Sequence, residues 1–547
     1  MLLLLALLLG AALYLFDLGG TPVQCGNETM YLLPPVTMLD TGDFLVGHYL
    51  HSEALEKPPL TLWIIAASYR LFGVSVAAGR LPGALAGLGT VAVLGLWVRR
   101  RSGDRAGILA SLCLAFSFKF AAFSREFAAD AFLALGVTLA VIALDDAARR
   151  EDLSDLRAGA QAGAALALAF GFKGLIGVAL PAGAVGLGLL LDRSRPARPF
   201  RRAVPLVLVL LAALVPWHWA MTLRMGSEFW RRFYLTNQFL RATTDVLAKR
   251  ERGPLFYLGV LAWAAFPWVL FVPAALSVRK SRRPSTPAAW LVFGLLFLSV
   301  LTMKREVYLM PLLPAVAALA GEYLAAPQAS RFGLGRLAWA ATLVAAAAAL
   351  VLWARMAPSL ARLVGVPAAL ALAAGLLLLL ASSSASARSP NRPSAALWTA
   401  LSCGIAFLAV LGVESRLSQY DPLPEWGARV RRLLPQGGEA FRIGMQCTSV
   451  EFFTRREWID LSLPRELVGH VPPAGGFAIV RSAWERELEA LGIRAEVIER
   501  RPWFESNWAA ASLSRRKDPF VSLSFVRLLP AGEEPKAATA APAGPGP

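Results

Sequence analysis

The sequence predicts a mainly α protein, a polytopic transmembrane helical bundle of about thirteen spans carrying a small α/β domain outside the membrane. Three observations carry that expectation. Apolar runs long enough to cross a bilayer recur from Leu2 to Val410. Of the 547 residues 56% are hydrophobic and only 17% charged, with a mean hydropathy of +0.54, whereas a soluble globular chain is nearer a quarter charged. The arginines gather in short clusters between the apolar runs, as they do in cytoplasmic loops. That placement also argues against nucleic acid as the partner of a chain with a net charge of +18.

The first run, Leu2 to Phe16, has no Lys or Arg before it and no small-residue cleavage site after it, and reads as an uncleaved spanning helix. Residues 19–77 read as a loop too polar to cross. Within it Pro58 to Phe72 is apolar but short and opens on two prolines, which suits a helix lying in the interface. Further spans are expected at 78–98, 106–123, 127–144, 158–172, 174–191, 203–222, 255–277, 288–303, 307–325, 337–356, 366–383 and 394–413. Basic clusters at 99–105, 149–157, 193–202, 279–283, 331–336 and 388–392 then all fall on one side, which the positive-inside tendency makes cytoplasmic. The loops at 19–77, 223–254 and 304–306 lie on the other side, together with the C-terminal region.

After Val413 the texture changes, giving a transmembrane domain at 1–413, an extracytoplasmic α/β domain at 414–531 and a disordered Ala/Pro/Gly-rich tail at 532–547. In the second of these, Glu425 to Leu434 reads as an amphipathic helix and Phe441 to Met445 as a strand. Ser449 to Arg455 reads as a helix, Gly476 to Val480 as a buried strand and Ala483 to Leu491 as a helix, while Arg494 to Glu499 and Val521 to Leu528 alternate as strands do. The four cysteines lack metal spacing. Cys113 and Cys403 sit in apolar runs as packing residues, and Cys25 and Cys447 both fall outside, where a disulfide between them is open.

Chemistry is expected where charged residues crowd the outer ends of the spans, because a charge inside a span is costly. Asn27, Glu28, Glu56 and Lys57 lie in the first loop; Lys119, Arg125, Glu126, Asp130 and Lys173 lie at helix ends. Arg231, Arg232 and Arg241 follow in the second large loop, then Lys304, Arg305, Glu306 and Tyr308. Cations suited to a lipid phosphate thus share one face with carboxylates suited to proton removal or to stabilising a cation-like transition state. Each has a plainer reading. Glu28 could cap a helix starting beside it, Glu56 could pair in a solvated loop, and Asp130 could pair with Arg125 or Lys119. Lys173 and Arg241 could snorkel to headgroups, and Tyr308, Trp217 and Trp219 could be interface aromatics. His48, His51 and Glu53 lack diagnostic metal spacing. No metal site is expected, although a divalent cation stays open as a cofactor.

The stretch CGNETMYLLPPVTMLDTGDFLVGHYLHSEALEKPPLTLWIIAASYRLFG resembles the first external loop of C-type glycosyltransferases, which use polyprenyl-phosphate sugars. The resemblance is to the bacterial 4-amino-4-deoxy-L-arabinose lipid A transferases and their protein O-mannosyltransferase-like relatives. SREFAADAFLAL, GFKGLIGVALP, VPWHWAMTLRMGSEFWRRFY, FPWVLF and KREVYLMPLLP agree with it in order, over about residues 1 to 325. It implies that Lys57, Arg241 and Tyr308 contact the lipid phosphate, with Lys173 beside them. It also implies that the family's acidic residue at the start of a span is Asp130, and that Glu56 forms part of the site. Two departures stand out: the family's first-loop aspartate is Asn27 and its nearby arginine is Met30. An amide cannot take a proton as a carboxylate does, so Glu28 and Asp130 are the catalytic candidates, with Asn27, Glu56, Lys304 and Arg125 around them.

The resemblance thus implies an inverting transfer of a sugar from undecaprenyl phosphate to a lipid, glycan or protein acceptor outside a bacterial inner membrane. The rivals are an inactive relative acting in binding or assembly, suggested by Asn27 and Met30, and a lipid-linked-sugar transporter. A transporter would carry charges near the midplane and repeat symmetry, neither of which is visible.

Overall fold

The computed structural model describes residues 2–23, 28–49, 52–126, 128–192, 198–240, 243, 252–278, 286–326, 403–404, 415, 418–434, 438–445, 447, 449–504 and 520–530. Ten helices lead the chain: α1 (Leu2–Leu15), α2 (Thr29–Thr41), α3 (Leu60–Phe72), α4 (Val76–Ser102), α5 (Asp104–Ala115), α6 (Phe118–Glu126), α7 (Ala128–Arg149), α8 (Asp155–Lys173), α9 (Ile176–Asp192) and α10 (Pro199–Met225). Helices Phe256–Ala264, Thr286–Val300 and Leu313–Ala325 follow. Ser75 starts α4 by accepting the Ala78 N–H at 3.2 Å, and Ser154 starts α8 by accepting that of Arg157 at 3.3 Å. At 27 residues α4 is about 40 Å long, more than the ~30 Å hydrocarbon core of a bilayer.

Among the described residues four helices are long and apolar enough to cross a membrane, or six if two bent pairs each count as one. The bent pairs correct the sequence reading. The span expected at 106–123 is α5 and α6, meeting at 60°, and the one expected at 255–277 is two segments meeting at 107°, broken ahead of Pro267. Helices α9 and Thr286–Val300 match expected spans but are short, at 17 and 15 residues. The spans expected at 337–356 and 366–383, nearly all of 394–413, and the tail 532–547 lie outside the described residues. Helix α10 packs along α8 and turns Val204, Leu208, Leu211, Val215, Trp219 and Leu223 outwards, a stripe suited to lipid.

The charged residues divide between the two ends of the bundle. Along α7, Asp130 stands at the start and Asp145 about 22 Å further on. Around Asp145 gather Arg101 from the end of α4, Arg149, and Thr286, whose hydroxyl donates to the Asp145 carboxylate at 2.6 Å. Arg149 also reaches Asp192 at the end of α9, and Arg202 at the start of α10 binds Asp155. Arg101, Arg149 and Arg202, described members of three of the basic clusters, therefore meet at one end.

The segment 19–77, read as a loop, is more structured than expected. Besides α3, where a helix was expected at Pro58 to Phe72, it contains α2 and the two-stranded hairpin of β1 (Gly47–Tyr49) and β2 (Ser52–Ala54). Helix α2 is buried from Tyr31 to Met38 despite Pro34 and Pro35 within it, and ends at Gly42, whose φ of 75° gives a left-handed cap donating to the Met38 carbonyl. Gly79 of α4 lets it approach this closely, since a Cβ there would meet Leu32 at 2.3 Å.

The C-terminal unit is a five-stranded sheet, order β4-β3-β5-β7-β6, of β3 (Glu439–Ile443), β4 (Ile459–Leu461), β5 (Gly476–Arg481), β6 (Ala495–Phe504) and β7 (Phe520–Leu528). β3 runs parallel to β4 and β5, while β7 is antiparallel to β5 and β6. Alternation sends Phe477, Ile479 and Phe525 to one face, covered by helix Leu423–Leu433 through Trp426, and Ala478, Val480 and Val526 to the other, covered by Leu467 and Leu488. The helices and strands read here from sequence are all present; β4 was not foreseen. Cys447 is disulfide-bonded while Cys113 and Cys403 are free, and Cys25, with which the sequence left a disulfide open, lies outside the described residues.

Candidate active site

At the opposite end of α7 from Asp145, five side chains from five segments converge. Asp130, buried, forms an ion pair with Lys173 at the end of α8. The Lys173 ammonium lies 4.7 Å from the centre of the Tyr308 ring, a cation–π distance. Tyr308 is placed by the short 3-10 helix Glu306–Leu312 that leads into Leu313–Ala325. Tyr31, at the start of α2, accepts a hydrogen bond from Lys57, whose ammonium also lies 4.3 Å from the Tyr31 ring centre. Burial above all, then the negative charge of Asp130 and the Tyr49 and Tyr308 hydroxyls, pushes the Tyr31 phenol well above its ordinary pKa, against a smaller pull from Arg305. Tyr31 therefore stays neutral, keeping a proton to donate while its oxygen accepts from Lys57.

A second tier holds these groups. Tyr49 donates to Glu56 at 3.2 Å, so Glu56 pairs within the loop rather than with Lys57. The Arg305 amide donates to Tyr257 at 3.3 Å, and Arg252 to the Lys304 carbonyl at 3.2 Å, drawing the 304–308 segment against helix Phe256–Ala264. Lys304 itself donates to the Leu301 carbonyl at 2.6 Å. Lys119 lies over the Trp263 and Phe123 rings and 4.0 Å from Glu306.

Glu28 stands differently from what its catalytic candidacy requires. Its carboxylate is buried in a two-pronged pair with Arg80 of α4, at 2.5 and 2.9 Å, and it makes no side-chain cap to α2. The same guanidinium donates to the carbonyls of Leu18, Thr21 and Pro22. This cluster ties the α1–α2 connection to α4, and thereby fixes where α2, which carries Tyr31 in its first turn, begins. Arg125 is likewise taken up in structure: buried, it donates to the Leu13 and Tyr14 carbonyls at the end of α1 rather than pairing with Asp130. Glu53 binds Arg232 at 2.5 Å, and among the described residues no group of three His, Cys, Asp or Glu side chains is arranged to hold a metal. Asn27, Arg241 and His51 lie outside the described residues. Trp217 packs edge-on against Phe229 and Phe233 whereas Trp219 is exposed, so only the second sits as an interface aromatic would.

Sequence reasoning missed Tyr31, Tyr49, Arg80 and Tyr257. Arg80 had a readable signal, a charge inside the apolar run at 78–98. Tyr31 and Tyr257 had none, because their partners Lys57 and Arg305 are distant in sequence.

Residues 56–219, which include Lys57, Asp130 and Lys173, match the family model described as dolichyl-phosphate-mannose-protein mannosyltransferase. Crystal structures of ArnT from Cupriavidus metallidurans, bound to undecaprenyl phosphate and in the apo state, superpose with TM-scores of 0.77 and 0.76 at 20% and 19% identity, covering 95% of this chain and 97% of theirs. The fold is ArnT-like. Among curated sequences, an undecaprenyl phosphate-alpha-4-amino-4-deoxy-L-arabinose arabinosyl transferase from Pseudomonas paraeruginosa is 30% identical over 320 residues, 57% of each chain. One from Pseudomonas savastanoi is 28% identical over 58% of this chain and 61% of its own length. An uncharacterised protein of Aquifex aeolicus is 28% identical over 57% of this chain and 62% of its own length. The chain thus spans about three-fifths of the length of these relatives. The resemblance seen in the sequence holds: over part of its length the chain is similar in sequence to curated undecaprenyl-phosphate arabinosyl transferases, and in fold to ArnT.

Proposed function

We propose that this protein is a glycosyltransferase that moves a sugar from an undecaprenyl-phosphate donor to an acceptor, with inversion, on the outer face of a bacterial inner membrane. The observation that carries the proposal is the convergence of Lys57, Tyr31, Asp130, Lys173 and Tyr308 in an ArnT-like fold. Lys57, the neutral Tyr31 hydroxyl and the Lys173–Tyr308 pair form a cationic cradle for phosphate, and Arg241 of the second large loop is assigned to the same phosphate. The acceptor hydroxyl attacks the anomeric carbon, whose bond to the phosphate oxygen breaks with its electron pair leaving on the phosphate. The hydroxyl proton passes to a carboxylate. The leaving phosphate needs cations more than a general acid.

Asp130 is the carboxylate assigned to that proton. It is paired with Lys173, and it belongs to the cluster that includes Tyr31 and Tyr308. Glu28, fixed by Arg80, is assigned to positioning α2. A metal is given no step here.

The arginines gathered at the Asp145 end support a cytoplasmic assignment for that end and an outer one for the site. The disulfide at Cys447 supports an extracytoplasmic sheet domain, since such bonds persist in oxidising compartments. The thirteen-span count and the boundaries 1–413, 414–531 and 532–547 belong to the same proposal. The donor's sugar and the acceptor, whether lipid A, a glycan or a protein, are set by the test. Purified protein in proteoliposomes is supplied with undecaprenyl-phosphate sugars and candidate acceptors, and products are read by mass spectrometry. A sugar-sized mass gain on an acceptor supports the reading. No gain on any acceptor from a donor the protein binds favours the inactive relative that Asn27 suggests.

A further inference from the structure

Lys173 is the last residue of α8, and a side chain from the second large loop closes over the turn that follows it. Gly174 makes that turn with φ 76° and ψ −145°, a conformation essentially reserved for glycine. Its amide donates to the Phe170 carbonyl at 2.6 Å and completes α8. The next amide, that of Leu175, stands ahead of the first turn of α9, where helix geometry leaves N–H groups without an intrahelical partner. Gln238, 63 residues away, supplies one: its side-chain oxygen accepts the Leu175 N–H at 3.2 Å. The Gln238 amide also fills the space beside the glycine, since a Cβ at 174 would meet its Oε1 at 2.8 Å and its Nε2 at 3.0 Å.

Gln238 is presented by an unusual element. Trp230–Leu240 is a π-helix of 11 residues, a winding that is mostly confined to single turns and recurs at functional sites. Its side chains reinforce it from within: Thr236 donates to the Arg231 carbonyl at 3.1 Å and Asn237 to the Arg232 carbonyl at 2.9 Å. It is anchored from without by the Arg232–Glu53 pair at 2.5 Å, by a 2.6 Å hydrogen bond between Tyr234 and His218 of α10, and by buried Phe233 against Trp217. The next side chain along, Gln238, bonds outside the helix, at the α8–α9 turn.

We infer that Gln238 is a positioning residue for Lys173, and so for the phosphate cradle. The inference rests on the donor-site reading above. A lysine side chain is a flexible four-carbon stem, so the direction in which its ammonium meets Asp130 and Tyr308 depends on where its backbone is held. Helix α8 holds that backbone from one side, and Gln238 holds it from the other through Leu175. Without this bond the end of α8 frays, and the ammonium no longer stays where a phosphate would meet it.

The test measures the Kd of undecaprenyl phosphate for purified full-length proteins in detergent. Gln238→Met keeps the length of the side chain and removes the acceptor. It is expected to bind about 3- to 10-fold more weakly with the number of binding sites unchanged. Gln238→Asn, too short to reach the amide, should behave alike. The background Asp130→Asn/Lys173→Met removes both charges, so that no buried carboxylate is stranded. Adding Gln238→Met to it is expected to change nothing further, because a residue that acts through another is not additive with it. Hydrogen exchange at Leu175 should quicken in Gln238→Met while that of α10 stays as in the wild type. Wild-type affinity in both Gln238 variants, or unchanged exchange at Leu175, overturns the inference. An equal loss with and without the Asp130–Lys173 pair overturns it too, because Gln238 would then act elsewhere, as on Arg241 three residues along. A wild type that binds no undecaprenyl phosphate overturns the donor reading itself.

Discussion

Glu28→Gln should cost stability, not specifically catalysis. The Glu28 and Arg80 side chains are 1% and 2% exposed and joined at 2.5 and 2.9 Å. Removing one partner of a buried pair costs about 3–5 kcal/mol, because a charge is left without its counter-ion. Glu28→Gln falls at the lower end, about 3 kcal/mol, since the guanidinium retains the Leu18, Thr21 and Pro22 carbonyls. Arg80→Ala falls at the upper end, about 5 kcal/mol, stranding a buried carboxylate and releasing the α1–α2 connection. The double variant Glu28→Leu/Arg80→Met removes both charges and should be less damaging than Arg80→Ala alone. Asp130→Asn should behave in the opposite way. It should lower transfer by about 10²- to 10⁴-fold, as loss of a general base does, while Lys173 keeps its place over Tyr308. The assay pairs denaturant unfolding in detergent with initial rates on the folded fraction. A Glu28→Gln protein as stable as wild type yet slowed 100-fold or more would refute the positioning role.

Three further outcomes follow from the same structure. Asn27→Asp places a carboxylate where the family resemblance implies one, and should raise the transfer rate several-fold if Asp130 alone limits proton removal; an unchanged rate would mean the first loop takes no proton. Burial pushes the Asp421 carboxyl up to about 6, against a hydrogen bond from the Leu423 amide. Raised above its unfolded value, it binds more protons folded than unfolded between pH ~4 and ~6, so its contribution to stability is present below that window and lost as pH rises through it. Asp421→Asn should therefore raise the unfolding temperature at pH 8 more than at pH 4, and equal shifts would contradict the assignment. Reporter fusions after Arg100 and Arg202 should read cytoplasm and one after Ser415 exterior; a cytoplasmic signal at Ser415 would overturn the proposed sidedness.

The sequence made the bundle legible because length and apolarity alone identify a span such as α4. It showed Asp130 and Lys173 as site candidates because charges at span ends are rare and need partners. Their mutual pairing was not visible, since 43 residues separate them and Arg125 and Lys119 were nearer in sequence. The pairing of Glu28 with Arg80 was hidden for the same reason, at 52 residues. The break between α5 and α6 left no mark, since LCLAFSFKF contains neither proline nor glycine. The break near 267 had one in Pro267, which the apolar run around it obscured. Helix α2 escaped because two adjacent prolines argue against a helix, and it is its packing against α3 and β1 that supports it.

The central claim is that Lys57 and its neighbours hold the donor's phosphate, and direct binding tests it most plainly. Undecaprenyl phosphate titrated into purified wild type and Lys57→Ala should bind the variant with a loss of about 2 kcal/mol, or roughly 30-fold in Kd, as a charge-assisted bond in a dry site requires. Equal affinity in the two proteins would show that Lys57 serves only to pin Tyr31, and the proposed donor site would have to be abandoned.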